Sequence, residues 1–119
     1  MFEIKQGAPV PELNSWGTVT DLGSEILEGE CRASGKMIFG APTDPISCAV
    51  FAVSRGRFRM IYPFTEHAVV VEGSVTLTNE DTGKSTTYGP GDAWFIERGT
   101  PILWQVNSER FVKNYLAVA

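Results

Sequence analysis

The stretch YPFTEHAVVVEG, residues 62–73, places the only histidine of the chain directly after a glutamate. A carboxylate and an imidazole at the start of an apolar run could be two ligands of one metal ion. They could equally be one functional residue and one bystander. Adjacent residues of a β-strand point to opposite faces, so in a strand Glu66 and His67 would not reach the same centre. We therefore expect His67 to lie on the face away from Glu66, in a structural role.

Glu66 is the main candidate for chemistry. A carboxylate in an apolar protein interior is unfavourable unless it is paired or protonated. It could act as a general acid or base, or it could anchor a cationic or amine-bearing ligand. It could instead be a structural carboxylate held by Tyr62, Lys113 or an arginine. Both readings follow from the sequence.

The composition is typical of a single soluble domain. The chain has 119 residues, 43% hydrophobic and 20% charged, and a net charge of -4. Nucleic-acid affinity rests on clustered Lys and Arg, so the acidic balance excludes a nucleic-acid partner. The arginines that come closest to clustering, Arg55, Arg57 and Arg59, alternate along one predicted strand and indicate a solvated or pocket-lining face.

No segment approaches the roughly 18 apolar residues of a membrane span, and the first residues lack the apolar core of a signal peptide. Cys31 and Cys48 form no CxxC pair. We expect a cytoplasmic protein with free thiols and no membrane association.

Short runs rich in β-branched and aromatic residues, separated by turn residues, predict an all-β fold. Pro90-Gly91 suits the centre of a type II turn, and Gly83 suits a hairpin loop. No stretch shows a sustained helical period. The predicted strands are Lys36–Phe39, Ser47–Val53, Arg57–Tyr62, His67–Glu72, Ser74–Asn79, Ser85–Tyr88, Ala93–Glu97, Ile102–Val106 and Arg110–Val118.

Residues 1–24 read as an irregular N-terminal arm that belongs to the domain, and residues 25–119 as the barrel. The strand after Glu66 is unusual because Ala68 and Val70 fall on one face while Val69 and Val71 fall on the other. A strand apolar on both faces is normally covered on both faces. We expect the terminal arm or a second subunit, in a homodimer, to cover its outer side.

The spacing of these elements resembles the cupin superfamily of RmlC-like barrels. Glu66, six further residues and Gly73 resemble the end of the first cupin motif, G-x5-H-x-H-x3-E-x6-G. The segment GPGDAWFIERGTPILW, residues 89–104, resembles the second motif, G-x5-P-x-G-x2-H-x3-N. The resemblance implies a small cupin barrel, a double-stranded β-helix of jelly-roll type, in a family whose members commonly form homodimers.

Several segments are similar to one branch, the Cupin_3 or DUF861 group, which includes EutQ-like and ureidoglycine aminohydrolase-like proteins. They are ILEGECRASGK, GRFRMIYPFTEH, EGSVTLTNEDTG, GDAWFIERGTPILW and VKNYLAV. Trp104, Lys113 and Tyr115 match residues of that branch. Its members often have a Trp-Glu pair where this chain has Phe51 and Ala52, so the metal-dependent aminohydrolase reaction is not carried over.

The same resemblance implies that the usual metal site is degenerate. The two histidine positions of the first motif hold Met60 and Tyr62, and the histidine position of the second holds Ile102. Of the four usual ligands only Glu66 remains, and a divalent metal needs three or four converging donors. We expect no metal and no other cofactor.

The sequence predicts a protein that binds a small polar metabolite in its barrel. One alternative is an enzyme, an aminohydrolase, isomerase or lyase, that uses Glu66 with Tyr62 or Lys113 as acid and base. Another is a non-catalytic accessory protein whose barrel is filled with side chains. Most aromatic residues are expected in the core, with Trp104 as the exception at the barrel mouth. The predicted pocket consists of Met60, Tyr62, Glu66, Ile102, Trp104, Lys113 and Tyr115.

Overall fold

The structure, a computed structural model, describes residues 1–5 and 7–119. Nine strands and one short 3-10 helix follow one another, and the described residues contain no α-helix. The all-β fold expected from the sequence is confirmed. The strands are β1 Asn14–Thr18, β2 Glu25–Gly29, β3 Arg32–Phe39, β4 Ile46–Ile61, β5 Thr65–Glu72, β6 Val75–Asn79, β7 Ser85–Tyr88, β8 Ala93–Ile96 and β9 Pro101–Val118, with the 3-10 helix at Val19–Leu22.

Two long strands, β4 and β9, pair along their whole length and hold the barrel together. Their register breaks between Ser54 and Gly56. On one side of this break they pair with β3 and β5, and on the other side with β2 and β6. The two strands therefore run through both layers of the barrel and join them.

The inner face of the barrel carries the core. Alternation along β5 turns Glu66, Ala68 and Val70 inward, and all three are at most 2% exposed. Aromatic rings from several strands fill the interior, with Trp104 in contact with the rings of Phe51, Phe58, Trp94 and Phe111. Because one continuous cluster spans both layers, the chain is a single domain.

The N-terminal arm covers part of the outer face. Val10 and Leu13 pack, with Val71, against a second buried cluster of Val50, Ala52 and Val112. The arm thus covers the outer cluster against which Val71 of β5 also packs. At the other end of the strand His67 stays exposed.

The structure differs from the sequence-based prediction in three ways. The arm contains a strand, β1, and a 3-10 helix, so residues 14–22 are regular and not irregular. The strand β2 was not predicted, because its EILEG sequence carries little β-branched content. The predicted strands Ser47–Val53 and Arg57–Tyr62 form one bent strand, β4, which continues through Gly56. The predicted strands Ile102–Val106 and Arg110–Val118 likewise form one bent strand, β9, which continues through Asn107. No helix in the described residues has the length and apolarity needed to cross a membrane.

Candidate functional site

A cavity of about 350 Å³ lies in the barrel between the inner faces of β4, β5 and β9. Residues of the arm and of the loop before β4 form part of its wall, including Trp16 and Pro42. The wall is mostly aromatic and apolar. Its main aromatic residues are Trp16, Phe51, Phe58, Phe64, Trp104 and Tyr115.

Glu66 is the polar centre of this site. It is fully buried, and its Oε1 accepts hydrogen bonds from the Tyr62 hydroxyl and from the Trp94 indole N–H, both at 2.8 Å. Its Oε2 accepts a hydrogen bond from Lys113 Nζ at 2.6 Å. Three donors satisfy both carboxylate oxygens, so the buried charge is paired and hydrogen-bonded as it must be.

Lys113 brings the matching positive charge into the barrel. Its side chain is 6% exposed, and its ammonium lies over several ring faces. Rings within about 6 Å of a cation attract it through their quadrupoles, so these rings stabilise the ammonium away from water. The distances from Nζ to the ring centroids are 4.9 Å for Trp104, 4.9 Å for Tyr115, 5.2 Å for Phe51, 5.7 Å for Trp94 and 5.9 Å for Tyr62.

Burial and the paired charges shift the protonation of three groups. Burial lowers the pKa of Lys113 below 10.5, although the Glu66 carboxylate beside it works in the opposite direction. Burial raises the pKa of Tyr62 well above 10.0, and the charge of Glu66 raises it further. Burial raises the pKa of Tyr115 to about 12, with a smaller contribution from Glu66. All three groups therefore favour their neutral forms more than they would in water.

One buried polar atom of a cavity-lining residue has no hydrogen-bond partner among the described residues. The indole N–H of Trp104 is buried and makes no hydrogen bond with any described residue. The Tyr62 hydroxyl lies near this N–H, but the two groups do not have the geometry of a hydrogen bond. A buried donor without an acceptor is rare in folded proteins and costs free energy.

Six of the seven predicted pocket residues line this one cavity: Met60, Tyr62, Glu66, Trp104, Lys113 and Tyr115. Ile102 does not. It is buried and lies beside a separate depression near β6, β7 and β8. The edge-to-face pair of Trp94 and Trp104 stands between the two spaces, since Trp94 lines only the second and Trp104 only the first.

Several residues of the site were missed by the sequence reasoning: Trp94, Trp16 and the wall residues Phe51, Phe58 and Phe64. Trp94 was assigned to the core, yet it donates to Glu66. Trp94 pairs with Ala68, which lies two residues after Glu66 on the same face of β5. Strand alternation therefore places Trp94 on the inner face with Glu66 and could have indicated the contact. Trp16 belongs to the arm and reaches the cavity only through tertiary packing beside Phe51, so no local pattern indicated it.

His67 and the arginines lie outside the cavity. His67 is on the outer face of β5, opposite to the buried Glu66, as strand alternation predicts. Arg57 pairs with Glu28 at 3.6 Å and Arg59 with Glu80 at 3.2 Å, on the outside of the barrel. Neither arginine is part of the cavity wall.

The residues present do not fit the metal that cupin barrels commonly bind. Both oxygens of Glu66 are engaged by Tyr62, Trp94 and Lys113, and an ammonium 2.6 Å away would repel a cation. The described residues contain no group of three or more His, Cys, Asp and Glu placed to hold a metal ion. The positions of the usual cupin histidines hold Met60, Tyr62 and Ile102. A thioether and a phenol are poor ligands for divalent ions, and an alkyl side chain has no donor atom.

A family model for EutQ-like cupin domains, Cupin_3, matches residues 40–115. No curated protein matches the chain significantly. Among solved structures, the chain resembles the EutQ protein of Clostridium difficile with a TM-score of 0.62 and 18% identity, over 74% of this chain and 68% of that one.

Two further structures cover more of the chain. A DUF861 protein of unknown function from Pseudomonas syringae pv. tomato matches with a TM-score of 0.77 and 18% identity, over 92% of this chain and 45% of that one. A candidate ethanolamine utilization protein Q from Salmonella typhimurium LT2 matches with a TM-score of 0.62 and 15% identity, over 94% and 98% of the two chains. At these identities the likeness confirms the cupin fold.

Proposed function

This chain belongs to the Cupin_3 family of EutQ-like cupin domains, and we propose that it binds a small uncharged molecule in its barrel without a metal. The ligand has an apolar or aromatic body and a hydrogen-bond acceptor such as a carbonyl. The observation that carries the proposal is the cavity of about 350 Å³ with the Glu66–Lys113 pair in its wall. Pockets for small molecules start at about 300 Å³ and combine apolar walls with few polar groups.

The charge balance of the cavity supports an uncharged ligand. The Lys113 ammonium and the Glu66 carboxylate are 2.6 Å apart and cancel each other. An anionic ligand would add an unpaired negative charge next to Glu66, and a cationic one would add a positive charge next to Lys113. Either excess charge would be costly in a site shielded from water. Asp44, which also lines the cavity, further disfavours an anion.

The donors around the cavity that are not used within the protein favour a ligand with a hydrogen-bond acceptor. An ammonium has three N–H donors, and Lys113 uses one of them for Glu66. The Trp104 N–H is without a partner among the described residues. Both are donors, and the acceptors of Glu66 are already engaged by Tyr62, Trp94 and Lys113. A carbonyl oxygen in the cavity beside Lys113 would accept one of its remaining N–H donors.

A charge series of similar ligands tests the proposal. Benzamide, benzoate and benzylamine share a ring and differ in the charge of the head group, and their binding can be followed by tryptophan fluorescence and ligand-observed NMR. We expect benzamide to bind at least about tenfold more tightly than the two ions, a difference of roughly 1.4 kcal/mol. The double variant Glu66→Gln/Lys113→Met should weaken benzamide binding, whereas Lys36→Met on the surface should not. Tightest binding of benzoate would contradict the proposal.

A second candidate function is acid–base catalysis by Glu66. The observation that favours it is the contact of Glu66 with two proton-bearing groups, Tyr62 and Lys113, at the cavity wall. Such a set could move a proton at a carbon next to a carbonyl. In this case the protein would exchange the α-protons of a neutral ketone such as phenylacetone for deuterium in D₂O, as read by ¹H NMR. Glu66→Gln would abolish the exchange, and equal exchange by wild type and variant would remove this candidate.

The accessory-protein alternative receives less support. It requires a barrel filled with side chains, with no space between Met60, Tyr62, Glu66, Ile102 and Trp104. All of these except Ile102 border the cavity of about 350 Å³. A ligand-binding role accounts for this space, whereas a filled barrel does not.

A homodimer is part of the proposal. The register aligns Phe95, His67, Leu116, Cys48 and Phe39 in one row across five neighbouring strands. Phe95 is 64% exposed, Phe39 63% and Leu116 44%. A row of exposed apolar side chains on a flat sheet face favours association with a second copy of the same face.

We also propose a cytoplasmic location. Both cysteines are free, Cys31 buried and Cys48 half-buried. Cys48 lies in the row proposed for the dimer contact, where a reducing compartment would keep its thiol from forming disulfides.

A further inference from the structure

We propose that Lys113 captures an aldehyde or ketone covalently, as a reversible imine, in the cavity. The inference rests on the proposed function, since the carbonyl must first bind there as a neutral ligand. It adds a covalent chemistry and a substrate class to the site. Three features of the structure support it, and the reaction balances with the groups that the site supplies.

The first feature is the position of the amine. Lys113 lines the cavity, yet its side chain is only 6% exposed. The rings of Trp104 and Tyr115 lie 4.9 Å from Nζ and restrict where the amine can go. A carbonyl bound in the same space would meet an amine that is already oriented, and such positioning is a large part of rate acceleration.

The second feature is the proton acceptor beside the amine. Glu66 Oε2 lies 2.6 Å from Nζ, and the Tyr62 hydroxyl and the Trp94 N–H bind its other oxygen. Addition to a carbonyl needs the amine lone pair, so the ammonium must first lose a proton. Glu66 can take that proton directly, without a water molecule in between.

The third feature is the surroundings of the ammonium. Apolar rings surround Nζ, and burial lowers the pKa of Lys113 despite the opposing charge of Glu66. A lysine desolvated in an apolar pocket has a larger share of neutral amine at neutral pH than a lysine in water. The remaining lysines, Lys5, Lys36 and Lys84, are exposed.

The reaction balances with the groups that the site supplies. The ammonium passes one proton to Glu66, and the neutral nitrogen adds to the carbonyl carbon while the carbonyl oxygen takes that proton. A second proton then moves from nitrogen, through Glu66, to the resulting hydroxyl group, which leaves as water while the C=N bond forms. The products are one protonated imine and one water. The imine keeps the single positive charge, which Glu66 continues to balance, so no oxidant, reductant or external proton is needed.

Reductive trapping tests the inference. The full-length protein is incubated with benzaldehyde and sodium cyanoborohydride near neutral pH, and the modified lysines are identified by peptide mass spectrometry. We expect Lys113 to be benzylated at least about tenfold faster than Lys36, because its amine is held at the bound carbonyl beside a proton acceptor whereas Lys36 reacts from solution. The exposed lysines serve as internal controls in the same sample. Equal labelling of all four lysines, or labelling of the exposed ones only, would overturn the inference.

Two variants refine the result. Lys36→Met should leave the labelling of Lys113 unchanged, and Glu66→Gln should slow it, because the proton acceptor is lost. Faster labelling in Glu66→Gln would contradict the role of Glu66 in the reaction. Since wild-type labelling is read residue by residue, the test does not depend on the folding of any variant.

A parallel measurement separates this inference from the proposed function. Benzyl alcohol has the size of benzaldehyde and a hydrogen-bond acceptor but no electrophilic carbon, and its binding is followed by ligand-observed NMR. Binding of benzyl alcohol without an adduct at Lys113 would overturn the covalent step and leave the binding proposal intact. Absence of both binding and adduct would overturn the two together.

Discussion

Glu66 and Lys113 lie 47 residues apart in the chain and form an ion pair of 2.6 Å inside the barrel. The two residues are not opposite each other: Lys113 pairs with Val70 in the register, and Glu66 with Ala117. Both side chains are buried on the inner face, and the long lysine side chain spans this offset in register to reach the carboxylate. This pair is the polar centre of the cavity.

Removal of one member of this pair should destabilise the protein strongly. Lys113→Met leaves the buried Glu66 carboxylate without its counter-charge, and we expect a loss of about 3–5 kcal/mol in the free energy of unfolding. In the Glu66→Gln background the same substitution should cost much less, because no charge is then left unpaired. Urea unfolding of the wild type, both single variants and the double variant gives the coupling energy. Additive effects would show that the pair is not coupled.

The exposed pair of Glu72 and Arg110 is the matched control. Its side chains are 44% and 46% exposed, and it is held by hydrogen bonds of 2.8 and 2.9 Å. Glu72→Gln should cost only about 0.2–1 kcal/mol, since water screens the pair. The Arg110 side chain lowers the pKa of Glu72, so this small contribution should be present at neutral pH and disappear as the pH falls below the ordinary glutamate value.

The tyrosines should show delayed ionisation. The pKa of Tyr115 is raised to about 12, so absorbance at 295 nm should show a step near that pH that Tyr115→Phe removes. The native state then holds a proton between pH 10 and about 12 that the unfolded state has released. The contribution of Tyr115 to stability is therefore complete below pH 10 and lost as the pH rises through this window. An unchanged titration in Tyr115→Phe would contradict the assignment.

The position of Trp16 depends on the absence of a side chain at Gly35. A Cβ at Gly35 would clash with the Trp16 ring, whereas a Cβ at Gly89 would meet no atom within 4 Å. Gly35→Ala should displace Trp16 from the cavity wall, cost about 1–3 kcal/mol and weaken benzamide binding. Gly89→Ala should change stability by less than about 0.5 kcal/mol. Thermal unfolding and fluorescence titration of both variants check this, and identical behaviour of the two would contradict it.

Chelation should leave the protein unchanged. Because Glu66 is engaged by three donors, we expect EDTA to alter neither the melting temperature nor benzamide binding, and metal analysis to find less than one equivalent of any divalent ion. Elemental analysis by mass spectrometry on protein purified without chelator is the measurement. One equivalent of zinc, nickel, iron or manganese would overturn the metal-free assignment.

The proposed dimer should depend on the exposed apolar row. Light scattering behind size exclusion should give twice the 13.0 kDa of the chain at micromolar concentration. Phe95→Glu should shift the protein towards monomer, because charge would be buried in the contact. Ile61→Glu is the control, since Ile61 is 70% exposed at the far end of β4. A wild-type monomer, or equal effects of the two substitutions, would contradict the proposal.

Much of the fold follows from local pattern. Strand alternation predicted that Glu66 and His67 lie on opposite faces, and the spacing of β-forming and turn residues predicted most strands. The turn at Gly91 lies where its sequence indicated, with φ of 90° and a hydrogen bond from the Asp92 N–H to the Gly89 carbonyl oxygen. These features depend on near neighbours in the chain. The continuity of β4 and β9 was missed, because a bent strand and two separate strands share the same local pattern.

By itself, the sequence determined the all-β fold class, since that depends on residue types at short spacing, and its resemblance to the cupin motifs indicated the family and the positions that lack the usual metal ligands. Only the tertiary structure decided what holds Glu66. Its three partners come from the loop after β4, from β8 and from β9, and their convergence depends on the register of distant strands. The separation of Ile102 from the cavity, and the entry of Trp16 into its wall, likewise depend on long-range packing that no local spacing encodes.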